Sequence, residues 1–180
     1  MNKTALTAML ALALAGCASK PAPPAWKSNA ADALKGYSDA YLKGNTSIAD
    51  TEFARARSEI ASTGRPDLVA LAELVRCATR VASLEYDECP GFAALAQDAT
   101  AGGRADAEYL NGRWQGLDVA LLPEQHQPVA RASPGQPASV LAAMQDPLSR
   151  MVAAGAMMRA GRIAPADIVA QTGWLGPETT

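Results

Sequence analysis

The stretch from Pro66 to Leu84 constrains the fold of this protein more than any other. Apolar residues recur along it at helical spacing in two neighbouring stripes, and Pro66 suits the first position of a helix. Only one polar stripe remains, so this helix is predicted to be buried around most of its circumference, at the centre of the fold. The first apolar stripe is Leu68, Leu71, Ala72 and Val75, the second is Leu74, Ala78 and Val81, and the polar stripe is Glu73, Arg76, Arg80 and Ser83.

The rest of the sequence predicts further helices and no strand. Hydrophobic residues make up 49% of the sequence and aromatic residues only 5%, and alanine, the best helix former, supplies much of the difference. β-Branched residues never alternate with polar ones over the length of a strand. We therefore predict an all-α fold of antiparallel helical hairpins. The other predicted helices are Asn29 to Lys43, Ser47 to Ser62 with Ile48 inward, Phe92 to Ala99, Ala105 to Arg113 after a break at Gly102-Gly103, Ala138 to Met144, Pro147 to Ala160 with Met151 inward, and Ile168 to Thr172.

A short apolar run opens the sequence and ends before a cysteine. It extends from Ala5 to Ala15 behind the positive charge of Lys3. At about 10 residues the run is too short for a membrane span, which needs about 20. The small residues Ala15 and Gly16 complete the pattern of a cleaved signal peptide. Residues 1–16 are therefore predicted to be removed on export.

The motif Leu14-Ala15-Gly16-Cys17 resembles the lipobox of bacterial lipoproteins. The resemblance implies that Cys17 becomes the first mature residue and carries several acyl groups, which together anchor the protein in a membrane. Ala18 and Ser19 follow, and the lack of an aspartate there implies the periplasmic face of a Gram-negative outer membrane. The alternative is an ordinary secretory signal followed by an incidental cysteine.

The mature protein divides into a short tether and one domain by its composition. Residues 17–25 are predicted to be the lipidated tether, and its proline-rich part, 18–24, would reach roughly 20 Å as polyproline II. Residues 26–176 have the size of a single α-helical periplasmic domain. Loss of Lys3 with the signal peptide leaves 15 basic residues against 18 acidic ones, and this balance predicts no nucleic-acid partner.

A second resemblance appears in the predicted second helix. Gly44 followed by Ala49, Phe53 and Ala56 is similar to part of a degenerate tetratricopeptide-like (TPR-like) repeat, in which small residues let helices pack closely. The resemblance implies a right-handed stack of helical hairpins. Tyr37 stands where that family favours a small residue, and no 34-residue period recurs. Generic helical hairpins with alanine at their contacts are the alternative.

Cys77 and Cys89 are predicted to form a disulfide, because export places them in an oxidising compartment. Twelve residues of continuous helix would separate the sulfur atoms by roughly 18 Å. The central helix must therefore end near Leu84, with the backbone turning back over Glu85 to Glu88. A reactive thiol pair is the weaker alternative, because redox pairs favour Cys-x-x-Cys spacing.

Three side chains are candidates for a surface that binds a partner. Arg76 and Arg80 lie beside Glu73 on the central helix, and they are either a partner patch or an ordinary solvated face with an ion pair. His126 lies in the proline-rich stretch 123–137, which is interpreted as a mobile surface loop or, alternatively, a docking loop. A lone histidine predicts no metal site, since zinc needs at least three protein ligands.

Known catalytic motifs are missing from the sequence. It contains no Gly-x-Ser-x-Gly elbow, no P-loop, no dinucleotide fingerprint and no His-Glu-x-x-His, so neither catalytic residues nor a cofactor are predicted. The leading interpretation is an outer-membrane-anchored lipoprotein that binds another envelope protein as a scaffold or assembly factor. The alternatives are a small enzyme acting on cell-wall glycan through paired carboxylates and a carrier of lipids or small ligands.

Overall fold

A computed structural model describes residues 24–133 and 136–166 of the protein, and within these ranges the fold is all-α, as predicted. The signal peptide, Cys17 and the predicted helix from Ile168 to Thr172 lie outside the described residues. The helices are α1 (Ala25–Leu42), α2 (Thr46–Ala61), α3 (Pro66–Ala82), α4 (Pro90–Ala93), α5 (Ala101–Leu110), α6 (Gln127–Arg131), α7 (Pro137–Ala143) and α8 (Pro147–Arg159). Two 3-10 turns, Val119–Leu121 and Glu124–His126, precede α6.

Helices α1 and α2 form an antiparallel hairpin. Gly44, which lies between them, has a φ of +78°, a left-handed conformation that favours glycine. Ala49 and Ala56 of α2 are fully buried, and Phe53 packs against Tyr37 of α1. The buried stripe of α2 therefore contains these three residues and Ile60. The prediction that Ile48 points inward is wrong. Ile48 lies one residue before the buried Ala49, so its side chain points to a different face of α2 and is 57% exposed.

Helix α3 is the central helix, as its stripes predicted. It contacts α1, α2, α4, α5 and α8. Two details of its predicted faces are wrong, since Leu71 is exposed and Glu73 is buried. The main core lies on the side of α3 that faces α5 and α8. Its fully buried large side chains are Leu74, Val81, Tyr109, Leu110, Val129, Leu141 and Met157.

Helix α8 approaches α3 closely at Gly155. A Cβ atom added to Gly155 would lie 2.2 Å from the carbonyl oxygen of Val81. Tyr86 donates a hydrogen bond to the Gly155 carbonyl over 3.1 Å, which adds the segment after α3 to the same contact. Met151, predicted to point inward, is instead 37% exposed.

The segment before α5 departs from its prediction. The helix predicted from Phe92 to Ala99 is reduced to α4, which is followed by turns. Gly102 and Gly103 were predicted to break the helical pattern, but they lie in the first turn of α5. The Thr100 hydroxyl caps that turn by accepting a hydrogen bond from the Gly103 N–H at 3.0 Å.

The proline-rich stretch 123–137 was interpreted as a mobile surface loop, but residues 124–131 of it form helical turns, so an irregular loop is wrong for this part. It contains the second 3-10 turn and α6, with Pro128 in the first turn of that helix. His126 ends the 3-10 turn and is only 6% exposed. Its burial follows from contact with the aromatic ring of Tyr109, a partner that sequence spacing does not reveal.

The helices of the described ranges vary from 4 to 18 residues in length. The TPR-like character of the α1–α2 hairpin and the right-handed stack both stay predictions. In the part of the protein that the structure covers, no helix combines the length and the apolar character needed to cross a membrane.

Candidate functional site

An open groove runs between α2 and α3. Its volume is about 740 Å³, and its walls combine apolar side chains with a few charged ones. Because α2 and α3 are antiparallel, the groove extends from the turn that joins them toward Phe53 and Arg76. The residues that line it are Asp50, Phe53, Ala54, Arg57, Ser58, Ala61, Pro66, Val69, Glu73, Arg76 and Leu95.

Glu73 is the buried acid of this groove. Its carboxylate lies 3.3 Å from Nε of Arg57 on α2, so the two helices share an ion pair at the groove wall. Gly91 makes room for it, because a Cβ atom at that position would lie 2.0 Å from the Glu73 Oε2 atom. A buried carboxylate needs such a partner, and Arg57 neutralises its charge.

Arg76 forms the far wall of the groove. Its guanidinium carbon lies 4.9 Å from the centre of the Phe53 ring, a cation–π contact. The Tyr37 hydroxyl donates a hydrogen bond to the Arg76 carbonyl over 3.3 Å and so fixes that turn of α3. Within the described ranges no carboxylate forms an ion pair with the Arg76 guanidinium. Its charge is therefore directed to the groove and the solvent.

Arg80 lies one helical turn beyond Arg76. Its Nη1 atom pairs with Asp87 at 2.7 Å, and its Nη2 atom lies 3.9 Å from Glu85. Its Nε atom, in contrast, is buried without a hydrogen-bond partner. A buried donor without a partner costs about 1–3 kcal/mol, so this N–H is an unsatisfied group of the fold.

The predicted disulfide between Cys77 and Cys89 is confirmed, with a Cα–Cα distance of 5.4 Å. Helix α3 ends at Ala82, close to the predicted end, and Leu84 has a φ of +60° where the backbone turns back. The backbone N–H of Cys89 donates to the Asp87 carboxylate over 2.8 Å. This turn places the acidic segment after α3 beside Arg80.

A small pocket of about 80 Å³ lies between Arg76, Arg80 and the disulfide. Glu73 and Arg76 line both this pocket and the groove, so the two cavities are adjacent. The other residues around the pocket are Cys77, Asp87, Cys89, Pro90 and Gly91. Arg76 and Arg80, the two arginines considered as a partner patch or a solvated face, thus lie where the groove meets the pocket.

Cys77, Asp87 and Cys89 offer ligand atoms within 4.8 Å of one another, the kind of cluster that can hold a metal ion. Both sulfur atoms belong to the disulfide, so neither is a thiolate that could coordinate a metal. Asp87 is also paired with Arg80. The arrangement therefore stabilises the turn and does not form a metal centre.

The sequence matches no protein-family model, and it has no significant match among curated proteins or solved structures.

His126, the third predicted surface residue, lies away from the two arginines and inside the core. Its ring is 5.0 Å from that of Tyr109, whose hydroxyl lies 3.5 Å from the Nδ1 atom. Trp114 stacks on Tyr109 at 4.9 Å. Burial lowers the pKa of His126 to about 4, so the ring is neutral at physiological pH. The structure brings Arg76 and Arg80 together and separates His126 from them.

Two notable charged groups, one in the groove and one outside it, were missed by the sequence analysis. Arg57 faces the groove at helical spacing from Phe53, a signal that could have been recognised once α2 and α3 were paired. Asp106 on α5 carries no such signal. Burial raises the pKa of its carboxyl group to about 6, and its Oδ1 atom has no hydrogen-bond partner. Asp106 does not line the groove, and it is not part of the candidate site.

A second open cleft of about 470 Å³ lies between the second 3-10 turn, α7 and the start of α8. Its walls are mostly apolar, and it carries one carboxylate, that of Asp146, which caps α8 by accepting from the Ser149 N–H at 2.6 Å. The groove differs from this cleft in having arginine donors. The lining residues of the cleft are Gln125, Pro128, Ser139, Val140, Ala143, Met144, Gln145, Asp146 and Ser149.

Proposed function

We propose that this protein is an outer-membrane-anchored periplasmic lipoprotein whose helical domain is a non-catalytic scaffold that binds another envelope protein through the α2–α3 groove. The observation that carries this proposal is the groove itself. It combines an apolar floor, formed by residues such as Phe53 and Val69, with the Arg76 guanidinium, which has no carboxylate partner among the described residues. Arginine and aromatic side chains of this kind are enriched where proteins bind one another.

The position of the domain in the sequence supports the anchored arrangement. Helix α1 begins at Ala25, eight residues after the proposed acylation site at Cys17. A segment of eight residues spans at most about 28 Å. The groove would therefore remain close to the membrane, where it could hold a partner at the periplasmic face. The disulfide fits the same compartment, because disulfides persist where the environment is oxidising.

Substitution of the proposed lipid-bearing cysteine tests the anchor. With Cys17→Ala, the protein is expected to leave the membrane fraction, because the thiol that would carry the lipid is gone. The matched control, Ser28→Ala in the first turns of α1, should stay with the membrane. Acylation is measured by mass spectrometry of the N-terminal peptide. An unmodified Cys17 in a membrane-bound wild-type protein would contradict the proposal.

Site-specific cross-linking in cells tests the scaffold. A photo-reactive residue at Ala54, an exposed position that lines the groove, is expected to give an adduct of defined mass with one partner protein. Thr51, exposed on the same helix and outside the groove, is the control position and should give none. Equal adducts at both positions, or none at either, would refute binding through the groove.

The alternative activities are separated from the scaffold by direct assays. A glycan-acting enzyme requires two suitably placed carboxyl groups. In the groove one of the two acids, Glu73, is paired with Arg57. Clearing of purified cell wall in a zymogram would establish the enzyme and overturn the scaffold. Recovery of a stoichiometric lipid or small molecule with the purified protein would instead establish a carrier.

A further inference from the structure

The small pocket beside the disulfide lies among three arginines and three acids, and one of these arginines has no acidic partner in the described ranges. Around it, the acid Asp87 is paired with Arg80, and the acid Glu73 is paired with Arg57. Glu85 also lies 3.9 Å from Arg80, so the charges of the group balance as a whole, but Arg76 lines the pocket without a carboxylate partner in the described ranges. Asp50, the other acid of the groove, does not line the pocket.

Two arginines contribute hydrogen-bond donors to the lining of this pocket. Arg76 and Arg80 are one helical turn apart on α3 and both line the pocket. The Arg80 Nε–H is buried without an acceptor, although the two terminal nitrogens of this side chain face carboxylates. A carboxylate between the two arginines would meet the fork of Arg76 and satisfy this N–H, and charge-assisted bonds of this type are the strong ones.

The dimensions of the pocket set the size of the group that enters it. Its volume is about 80 Å³, whereas that of the adjoining groove is about 740 Å³. A single carboxylate fits this space, and a larger charged group such as a nucleotide does not. The pocket opens to a groove with an apolar floor, so apolar groups attached to the carboxylate would lie beside Phe53, Val69 and Leu95.

We propose that the partner docks through a carboxylate held between Arg76 and Arg80 and through neighbouring apolar side chains that lie along the α2–α3 groove. The partner segment is thus an acidic residue flanked by aromatic or branched aliphatic residues. This proposal rests on the proposed function, since it specifies the chemistry of the segment that occupies the same groove.

Peptide selection on the wild-type protein tests the chemistry. Random twelve-residue peptides are selected for binding to the full-length protein purified in detergent. Enriched peptides should carry Asp or Glu within three residues of an aromatic or aliphatic side chain. Replacing that acid by its amide in a synthetic peptide should weaken binding at least tenfold in fluorescence anisotropy. Amidating the C-terminus of the peptide distinguishes a terminal carboxylate from a side-chain one.

Variants of the protein then locate the site. Arg76→Gln should weaken binding of the acidic peptide at least tenfold, and Arg76→Lys, which keeps the charge, should weaken it less. Arg131→Gln, which removes an exposed arginine outside the groove, should change it less than twofold. Circular dichroism shows whether each variant is folded. If the Arg76→Gln protein is unfolded, the acid-to-amide change in the peptide still decides the question with the wild-type protein.

Three results would overturn this inference: no enrichment over the empty support, enriched peptides without acidic residues, or equal losses for the Arg76 and Arg131 variants. These failures are distinguishable from failure of the scaffold itself. If a partner is cross-linked at Ala54 but the selected peptides are not enriched in acidic residues, the carboxylate pocket is refuted and the proposed function stays in place.

Discussion

The half-buried Asp106 and the buried His126 are ionisable residues whose pKa values are shifted in opposite directions. Burial raises the pKa of Asp106 to about 6, because its carboxylate has lost water and its Oδ1 atom has no partner. Burial lowers the pKa of His126 to about 4, and nearby Asp146 offsets only part of that change. In the folded protein Asp106 stays mostly neutral up to about pH 6, and His126 stays mostly neutral down to about pH 4.

Asp106→Asn is expected to stabilise the protein above pH 6. The folded state binds the Asp106 proton more tightly than the unfolded state, so the wild type loses stability as pH rises from about 4 to 6. The advantage of the variant should grow over this window to as much as about 3 kcal/mol and then stay constant. Urea unfolding at several pH values measures it. Asp98→Asn, at an exposed position, is the control, and equal curves for both variants would contradict the assignment.

His126→Phe is expected to remove a loss of stability at acidic pH. The unfolded histidine takes up a proton below pH 6.5, whereas the buried ring does so only near pH 4. Relative to the variant, the wild type should lose up to about 3 kcal/mol as pH falls through this window. Phenylalanine retains the aromatic contact with Tyr109. Thermal unfolding at pH 7 and pH 4.5 is the measurement, and a difference independent of pH would refute the burial of His126.

At the scale of elements, two helical glycines have different surroundings. The Cβ atom of an alanine at Gly155 would lie 2.2 Å from a backbone oxygen of α3, which cannot move aside without shifting a helix. At Gly36 the nearest atom is 3.2 Å away and belongs to the flexible Glu52 side chain. Gly155→Ala should therefore destabilise the protein by roughly 2–3 kcal/mol. Gly36→Ala, the matched control, should be neutral or stabilising by up to about 1 kcal/mol. Chemical denaturation compares them, and similar effects would show that α3 and α8 are not in close contact.

The disulfide acts on the turn between α3 and α4. Reduction should lower the free energy of unfolding by about 2–4 kcal/mol, because the unfolded protein gains the freedom of the open loop. Denaturation with and without a dithiol reductant measures this loss. The double variant Cys77→Ala/Cys89→Ala should be unaffected by the reductant. Free alkylation of both cysteines before reduction would show that the bridge is not formed in the protein.

At the scale of the whole molecule, α3 connects two parts of the core. Its Ala70 and Leu74 belong to the large cluster with α5 and α8, whereas Val69 and Ala72 pack with α1 and α2. Loss of α3 would therefore separate the α1–α2 hairpin from the helices of the large cluster. We expect the backbone amides of α3 to exchange with deuterium more slowly than those of α7 and of the α1–α2 hairpin. Slower exchange in the hairpin would show that it is the more stable unit.

Local signals in the sequence were sufficient for the helical class, the central position of α3 and the disulfide. Each depends on residues close together in the sequence: the apolar stripes after Pro66, and the turn that brings Cys89 back to Cys77. Periodicity also located the first hairpin, although it wrongly placed Ile48 inward, one residue before the buried Ala49.

The roles of the polar residues, in contrast, come from contacts between elements. Glu73 is buried because Arg57 of another helix pairs with its carboxylate and Gly91, which has no side chain, leaves space for it. His126 is buried because the ring of Tyr109 covers it. A single sequence carries no record of such pairing between distant residues. Local patterns were thus enough to define most of the longer helices and the place of α3 among them. The packing of those helices then created the groove and left one arginine in it without a carboxylate partner among the described residues.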